Sequence, residues 1–148
     1  MERDELQVFL AQHTLAVLAT TADGQPEAAL IGVAVSQALE LVFDTVNTSR
    51  KYRNLQLNPK VAAVIGWEDE RTVQIEGVAR ELQGAELEQY QALYFTAFPE
   101  GRARRGWPGI CYFCIEPQWI RFSDCTGQQE TAEFTREGGA LLRKPPAS

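Results

Sequence analysis

Two runs rich in β-branched and apolar residues, Thr14 to Thr21 and Pro26 to Val35, stand on either side of Asp23-Gly24. No other feature constrains the fold as much. An Asp-Gly step between such runs predicts a two-residue hairpin, because both turn positions need φ > 0. It commits the first part of the chain to antiparallel pairing. Other short runs follow. Leu39 to Thr45 sets Leu39, Leu41 and Phe43 against Glu40, Val42 and Asp44, which reads as a strand with one polar face or edge. Val61 to Trp67 is a further strand, closed by the acidic turn Glu68-Asp69-Glu70. Thr72 to Leu82 alternates again, with Val73, Ile75 and Ala79 on one face and Gly77 at a bend or bulge. Ile110 to Ser123 reads as one long strand, or as two joined at Pro117.

Helical patterns are few. Leu6, Phe9 and Leu10 mark a short helix over residues 5–13. Ser49 can cap a helix that runs from Arg50 through Leu55 and ends at Asn58-Pro59. Residues 85–98 carry Leu87, Tyr90, Leu93, Tyr94 and Phe98 near helical spacing. Many strands joined by short turns, with few helices, predict a mainly β fold: a closed or partly open antiparallel barrel of six to seven strands. No G-x-G-x-x-G follows the first strand, so no Rossmann dinucleotide site is expected. The 148 residues fit one domain, placed at 1–125. The polar stretch 126–148, with Gly138-Gly139 and Pro145-Pro146, is expected as a flexible C-terminal tail.

The formal net charge is −6. Such a surface repels nucleic acid and anionic membrane, so neither is expected as a partner. No apolar run approaches the roughly 20 residues of a membrane helix. The start, Met1-Glu2-Arg3-Asp4-Glu5, is no secretory signal, and a cytoplasmic protein is the expectation. Three cysteines, an odd count, argue against a disulfide framework. Cys111 and Cys114 form a C-x-x-C pattern inside a strand run, where residues three apart face opposite ways. His13, the single histidine, excludes a multi-histidine metal site, and nothing near it points to a Ser-His-Asp triad.

An anionic ligand of an acidic chain needs a local cationic cluster, and Phe43-Asp44-Thr45-Val46-Asn47-Thr48-Ser49-Arg50-Lys51 supplies one. A strand ends, a polar turn follows and a helix begins. The helix start offers unpaired N–H groups and the positive end of a dipole. Thr48 and Ser49 add hydroxyls, and Arg50 and Lys51 add charge. Together they suit a dianionic phosphate. Without glycines this is no P-loop. The plainer reading is a capped surface helix with two solvated basic residues.

From about Ala16 to Gln83, and more loosely to Asp124, the chain resembles the FMN-binding split barrels related to pyridoxamine 5′-phosphate oxidase. The carriers are Thr21-Ala22-Asp23-Gly24-Gln25-Pro26, then Phe43-Asp44-Thr45 leading to Ser49-Arg50-Lys51. Asn58-Pro59-Lys60-Val61, Trp67, Arg71-Thr72-Val73 and Gly77 follow in order. The resemblance implies FMN as cofactor, with Ser49, Arg50 and Lys51 at its phosphate and Thr45 beside the flavin or its ribityl chain. Thr48 joins them on the turn, and the ring is expected over backbone near Thr45 and Thr72. It also implies a homodimer with FMN at the subunit interface. Trp119 and Arg121 resemble a last-strand pattern of shorter members; a core Trp beside an exposed Arg is the alternative. Trp107 could close the pocket, or anchor its loop on the barrel. Arg102, Arg104 and Arg105 could draw in an anionic substrate, or form a solvated loop.

Departures from the family pattern narrow the function. The oxidase's second-strand arginine and lysine are Ala29 and Ala34 here, its glutamine is Thr72, and its C-terminal R-L-H-type segment is absent. Oxidation of vitamin B6 is therefore not expected. The leading expectation is an FMN-dependent oxidoreductase acting on a small molecule, with no residue assigned to catalysis. The alternatives are a flavin binder without turnover, for storage or sensing, and a reductase using the deazaflavin F420. A haem-degrading relative is disfavoured, because no histidine lies near the last strand.

Overall fold

A computed structural model describes residues 1–146. Its first strands, β1 (Leu15–Ala22) and β2 (Gln25–Gly32), pair antiparallel across Asp23 and Gly24. Both turn residues have positive φ, +54° and +76°, as the two-residue hairpin requires. After α1 (Arg3–Gln12) and this hairpin come β3 (Ala34–Val35), β4 (Leu41–Val46), α2 (Arg50–Leu57) and β5 (Lys60–Ile65). Then follow β6 (Arg71–Glu81), α3 (Gly84–Ala97), β7 (Ile110–Asp124), β8 (Glu130–Glu137) and β9 (Ala140–Arg143). One curled sheet runs β2-β1-β5-β6-β7-β4-β3, with β8 on β7 and β9 on β8. The fold is the mainly β split barrel that the sequence predicts.

The long strand β7 organises the barrel. One edge pairs with β6. The other edge pairs first with β4, along Ile110 to Ile115, and then with β8, along Trp119 to Asp124. Pro117 falls in the gap between these two partners, where that edge has no ladder to lose. β7 therefore runs through Pro117 as one strand. Opposite it, the ladder with β6 shifts register between Glu76 and Gly77. A Cβ on Gly77 would sit 2.6 Å from the Glu116 carbonyl oxygen, so the close approach requires glycine.

Nine strands stand among the described residues, against six to seven expected. The return strand breaks at Val33, whose N–H donates to Thr14 O at 2.8 Å, which separates β3 from β2. The larger correction lies at the C-terminus. The expected flexible arm is a hairpin, β8–β9, that adds Ala132, Phe134 and Leu141 to the barrel core. Arg136 Nε donates to Pro117 O at 2.7 Å, fastening it to β7. Ala147 and Ser148, the end of that expected tail, lie outside the described residues.

Two cores hold the elements. The barrel interior packs Leu18, Phe43, Ile65, Ile75, Ile115 and Phe134 among others. A second cluster lies between the sheet and α3, where Ala34, Val42, Tyr112 and Cys114 meet Leu82, Tyr94 and Phe95. β4 is thus buried on both faces, and the polar face expected for it is corrected: α3 covers Val42. The acid groups of that face are neutralised by partners. Glu40 Oε1 accepts from the Tyr90 hydroxyl at 2.6 Å, and its Oε2 accepts from Arg80 at 3.3 Å and the Cys114 thiol at 3.4 Å. Burial pushes the Glu40 carboxyl up, but these hydrogen bonds outweigh it and leave it below the ordinary value of 4.5. Cys111 packs on the barrel core and Cys114 on the α3 side, so the two thiols face opposite ways and are free. Burial, with the nearby Glu40 charge, pushes Cys114 up to about 12. Among the described residues no helix is long and apolar enough to cross a membrane.

Candidate functional site

α2 begins where its sequence says it should. Ser49 has extended backbone and its Oγ accepts from the Tyr52 N–H at 3.1 Å, an N-cap. The buried Thr45 hydroxyl lies 2.8 Å from the same Oγ, tying the end of β4 to the cap. The turn between them is pinned from the other side by Asn47, whose N–H donates to Gly109 O at 2.8 Å. Gly109 has φ +76°, and a Cβ there would fall 2.3 Å from Asn47 Oδ1. The Gly109 backbone therefore acts as the rest against which the turn is set.

α2 is fastened to the barrel by a buried hydrogen bond that sequence patterning does not reveal. Asn54 Nδ2 donates to Thr20 Oγ1 at 3.0 Å, with both residues buried. This contact, one to two helical turns into α2, places the helix start over the inner face of β1 and β2. A groove of about 460 Å³ results, lined by Leu18, Thr20, Gln25 to Ala29, Arg50 and Lys51. Its wall includes a carboxylate. Arg50 Nε lies 2.9 Å from Glu27 Oε2, an ion pair. Of the two alanines that stand where the resemblance expects basic residues, Ala29 lines this groove. Ala34 is packed beneath α3 with Tyr94 and Tyr112.

The remaining expected residues lie elsewhere. Thr45 pairs with Cys111, whereas Trp119 stands eight positions further along β7. That is about 26 Å of strand at ~3.3 Å per residue. Arg121 and Ser123 follow, and Thr72 pairs with Ser123. One chain therefore brings Thr45, Thr48, Ser49, Arg50 and Lys51 to one place and holds Thr72, Trp119 and Arg121 at another. The expected ring position near both Thr45 and Thr72 is not formed within a single chain.

The second group has its own organisation. The Arg121 guanidinium lies 5.3 Å from the centroid of the Trp119 ring. Glu133, from the hairpin, accepts from Arg121 Nε at 2.9 Å and from Trp119 Nε1 at 3.4 Å. Those bonds, Arg121's above all, hold the Glu133 carboxyl below its ordinary range. Glu133 is missed by sequence reasoning because it sits in the stretch read as a tail. The arginine loop also differs from expectation. Arg104 Nε donates to Asp44 Oδ2 at 3.0 Å and its Nη2 to the Tyr94 hydroxyl at 3.3 Å, so it braces β4 and α3 and is not free for a substrate. Arg102 stacks on Phe95, 5.5 Å from the ring centroid. Arg105 and Trp107 are exposed.

The outer face of the β2-β1-β5 sheet is the other unusual surface. Val17 sits in register with Leu30 on one side and Val64 on the other, and Ala19 likewise lies between Ala28 and Ala62. Leu15, Val17, Leu30 and Val64 are all exposed, Leu30 by 63%. These residues form a continuous apolar patch, which marks interaction surfaces more often than free solvent faces.

Residues 3–124 match the family model described as pyridoxamine 5′-phosphate oxidase. The chain belongs to the pyridoxamine 5′-phosphate oxidase family. A curated relative, the pyridoxine/pyridoxamine 5′-phosphate oxidase of Rubrobacter xylanophilus, is 34% identical over 106 residues, covering 70% of this chain and 47% of that protein. The chain thus spans about half the length of the curated family relatives it matches. Among solved structures, a heme binding protein from Mycobacterium smegmatis superposes with TM-score 0.76 at 20% identity, covering 87% of this chain and 56% of that one. A pyridoxamine 5′-phosphate oxidase-related, FMN binding protein from Nostoc punctiforme gives 0.72 at 14% identity, covering 99% and 92%. At these identities the two structures establish the shared split barrel.

Proposed function

We propose that this family member binds FMN at the interface of a homodimer and acts as a flavin-dependent oxidoreductase on a small molecule. The observation that carries the reading is the capped start of α2, which sets Arg50 and Lys51 over an open groove in a family-matched chain. The groove fits a phosphate-bearing flavin chemically. It supplies two cations and hydroxyls on the neighbouring turn, and Ala29 leaves its wall open. Thr48, Ser49, Arg50 and Lys51 would hold the phosphate, and the bound flavin would supply the electron transfer. The chain's own residues bind and orient it: Thr45 and Gly109 fix the turn, and Asn54 fixes the helix.

The homodimer is supported by the separation of the two residue groups. A second copy can offer its Thr72, Trp119 and Arg121 to the first copy's α2, as the family resemblance implies, and the apolar outer face provides a surface to bury. Oxidation of pyridoxamine 5′-phosphate itself is not proposed, given Ala29, Ala34 and Thr72 and the partial coverage of the oxidases.

Flavin fluorescence titration tests the reading. FMN should bind more tightly than riboflavin. Arg50→Ala and Lys51→Ala should each weaken FMN by about 10- to 150-fold, the roughly 1.5–3 kcal/mol of a hydrogen bond to a charged group. Unchanged FMN affinity in both variants would remove the phosphate site. Reduction of the bound flavin by NAD(P)H and reoxidation by an added acceptor would separate an oxidoreductase from a binder without turnover.

A further inference from the structure

The groove that presents Arg50 and Lys51 also presents a negative charge. Glu27 stands opposite Thr20 in the β1–β2 ladder and shares the groove wall with Ala29. Its carboxylate is largely covered, with 23% of the side chain exposed, whereas Arg50 is 81% exposed. Arg50 is therefore the partner with room to turn, and Glu27 is the fixed one. Among the described residues Glu27 has no other ion-pair partner, and Lys51 has none at all. A phosphate entering here finds one cation free and the other engaged by a carboxylate.

We propose that Glu27 sets how sharply this site distinguishes a phosphorylated flavin from its unphosphorylated form, by holding Arg50 in competition with the phosphate. The proposal rests on the reading of the groove as a flavin-phosphate site. A phosphate dianion must either draw Arg50 away from Glu27 or sit beside the carboxylate and be repelled. Both routes lower the phosphate's contribution and leave ring and ribityl contacts untouched. The sequence sharpens the effect, because Ala29 adds no charge to compensate.

An ion pair with an exposed member is weak, so releasing Arg50 should be worth roughly two- to fivefold in affinity. The experiment measures FMN and riboflavin dissociation constants for the wild type, Glu27→Gln, Arg50→Ala and the double variant. Glu27→Gln should tighten FMN by that factor and leave riboflavin unchanged, and the gain should shrink when Arg50 is absent. An equal shift for both flavins would mean a general effect on the groove and would overturn the proposal. So would an unchanged or weakened FMN affinity in Glu27→Gln while Arg50→Ala still weakens FMN. If Arg50→Ala leaves FMN binding intact, the phosphate-site reading itself fails, and the role of Glu27 falls with it.

Discussion

Leu30→Asp tests the assembly on which the proposed site depends. Leu30 projects from the outer face of β2, and its 63% exposure makes it the most open large apolar residue of the chain. Fully burying a leucine contributes roughly 1.5–3 kcal/mol, so covering the exposed part of Leu30 contributes about 1–2 kcal/mol per subunit. A twofold interface presents the residue twice, which doubles the loss on substitution to about 2–4 kcal/mol. The new carboxylates add a desolvation penalty of several kcal/mol if the interface still forms. A total of at least ~5 kcal/mol raises the dimer dissociation constant about 10³–10⁴-fold. The folded subunit should be spared, because outward residues of an already exposed face change stability by only about 0.5 kcal/mol. Sedimentation velocity with the melting temperature reads both quantities, and FMN titration reads the third. The expected result is a folded monomer with FMN affinity lost. A Leu30→Asp protein that stays dimeric refutes the assignment of this face. A monomer that keeps its FMN affinity refutes the claim that the partner completes the site.

Two further outcomes follow from the packing. Phe134→Ala should cost about 3–5 kcal/mol, because the ring is fully buried in the barrel; urea unfolding reads it, and a loss within ~0.5 kcal/mol would mean that the hairpin contributes nothing to the core. Glu40 has a folded-state pKa below its ordinary 4.5, so its stabilisation is complete above pH ~4.5 and is lost as pH falls through the lower folded value. Glu40→Gln should therefore be less stable at pH 7, by roughly 1–2 kcal/mol, with a shallower loss of stability on acidification; parallel urea midpoints for the two proteins between pH 7 and 3.5 would contradict this.

The local grammar of this fold is legible in the sequence. Asp23-Gly24, the Ser49 cap and Asn58-Pro59 each dictate backbone geometry within a few residues, and each marks the element boundary it should. The C-terminal hairpin is not legible for a definite reason. Each of its strands places one large apolar side chain inward, Phe134 among charged and polar residues and Leu141 in a run of only four residues after Gly138-Gly139. That is enough to seal a barrel already built but too little to stand out as a periodic pattern. β4 misleads in a similar way, because Glu40 and Asp44 look solvent-facing until Arg80, Tyr90 and Arg104 arrive from elements 40 to 60 residues away. Within the candidate site, the cap and its two cations can be read from adjacent residues. Glu27, Asn54 and Glu133 act across the fold, and only the strand register reveals whom they meet.

The pairing of β4 with β7 has a consequence for the chain as it is made. Asp44 finds its neighbour only at Tyr112, so Leu41, Val42 and Phe43 wait while roughly 70 residues are added. At ~5–20 residues per second that is about 3–14 s. Until β7 leaves the ribosome, this apolar segment has no ladder on the edge that β7 will later fill. A ribosome stalled before residue 110 would therefore display Leu41, Val42 and Phe43, all fully buried in the finished barrel, to other nascent chains and to the chaperones that intercept them.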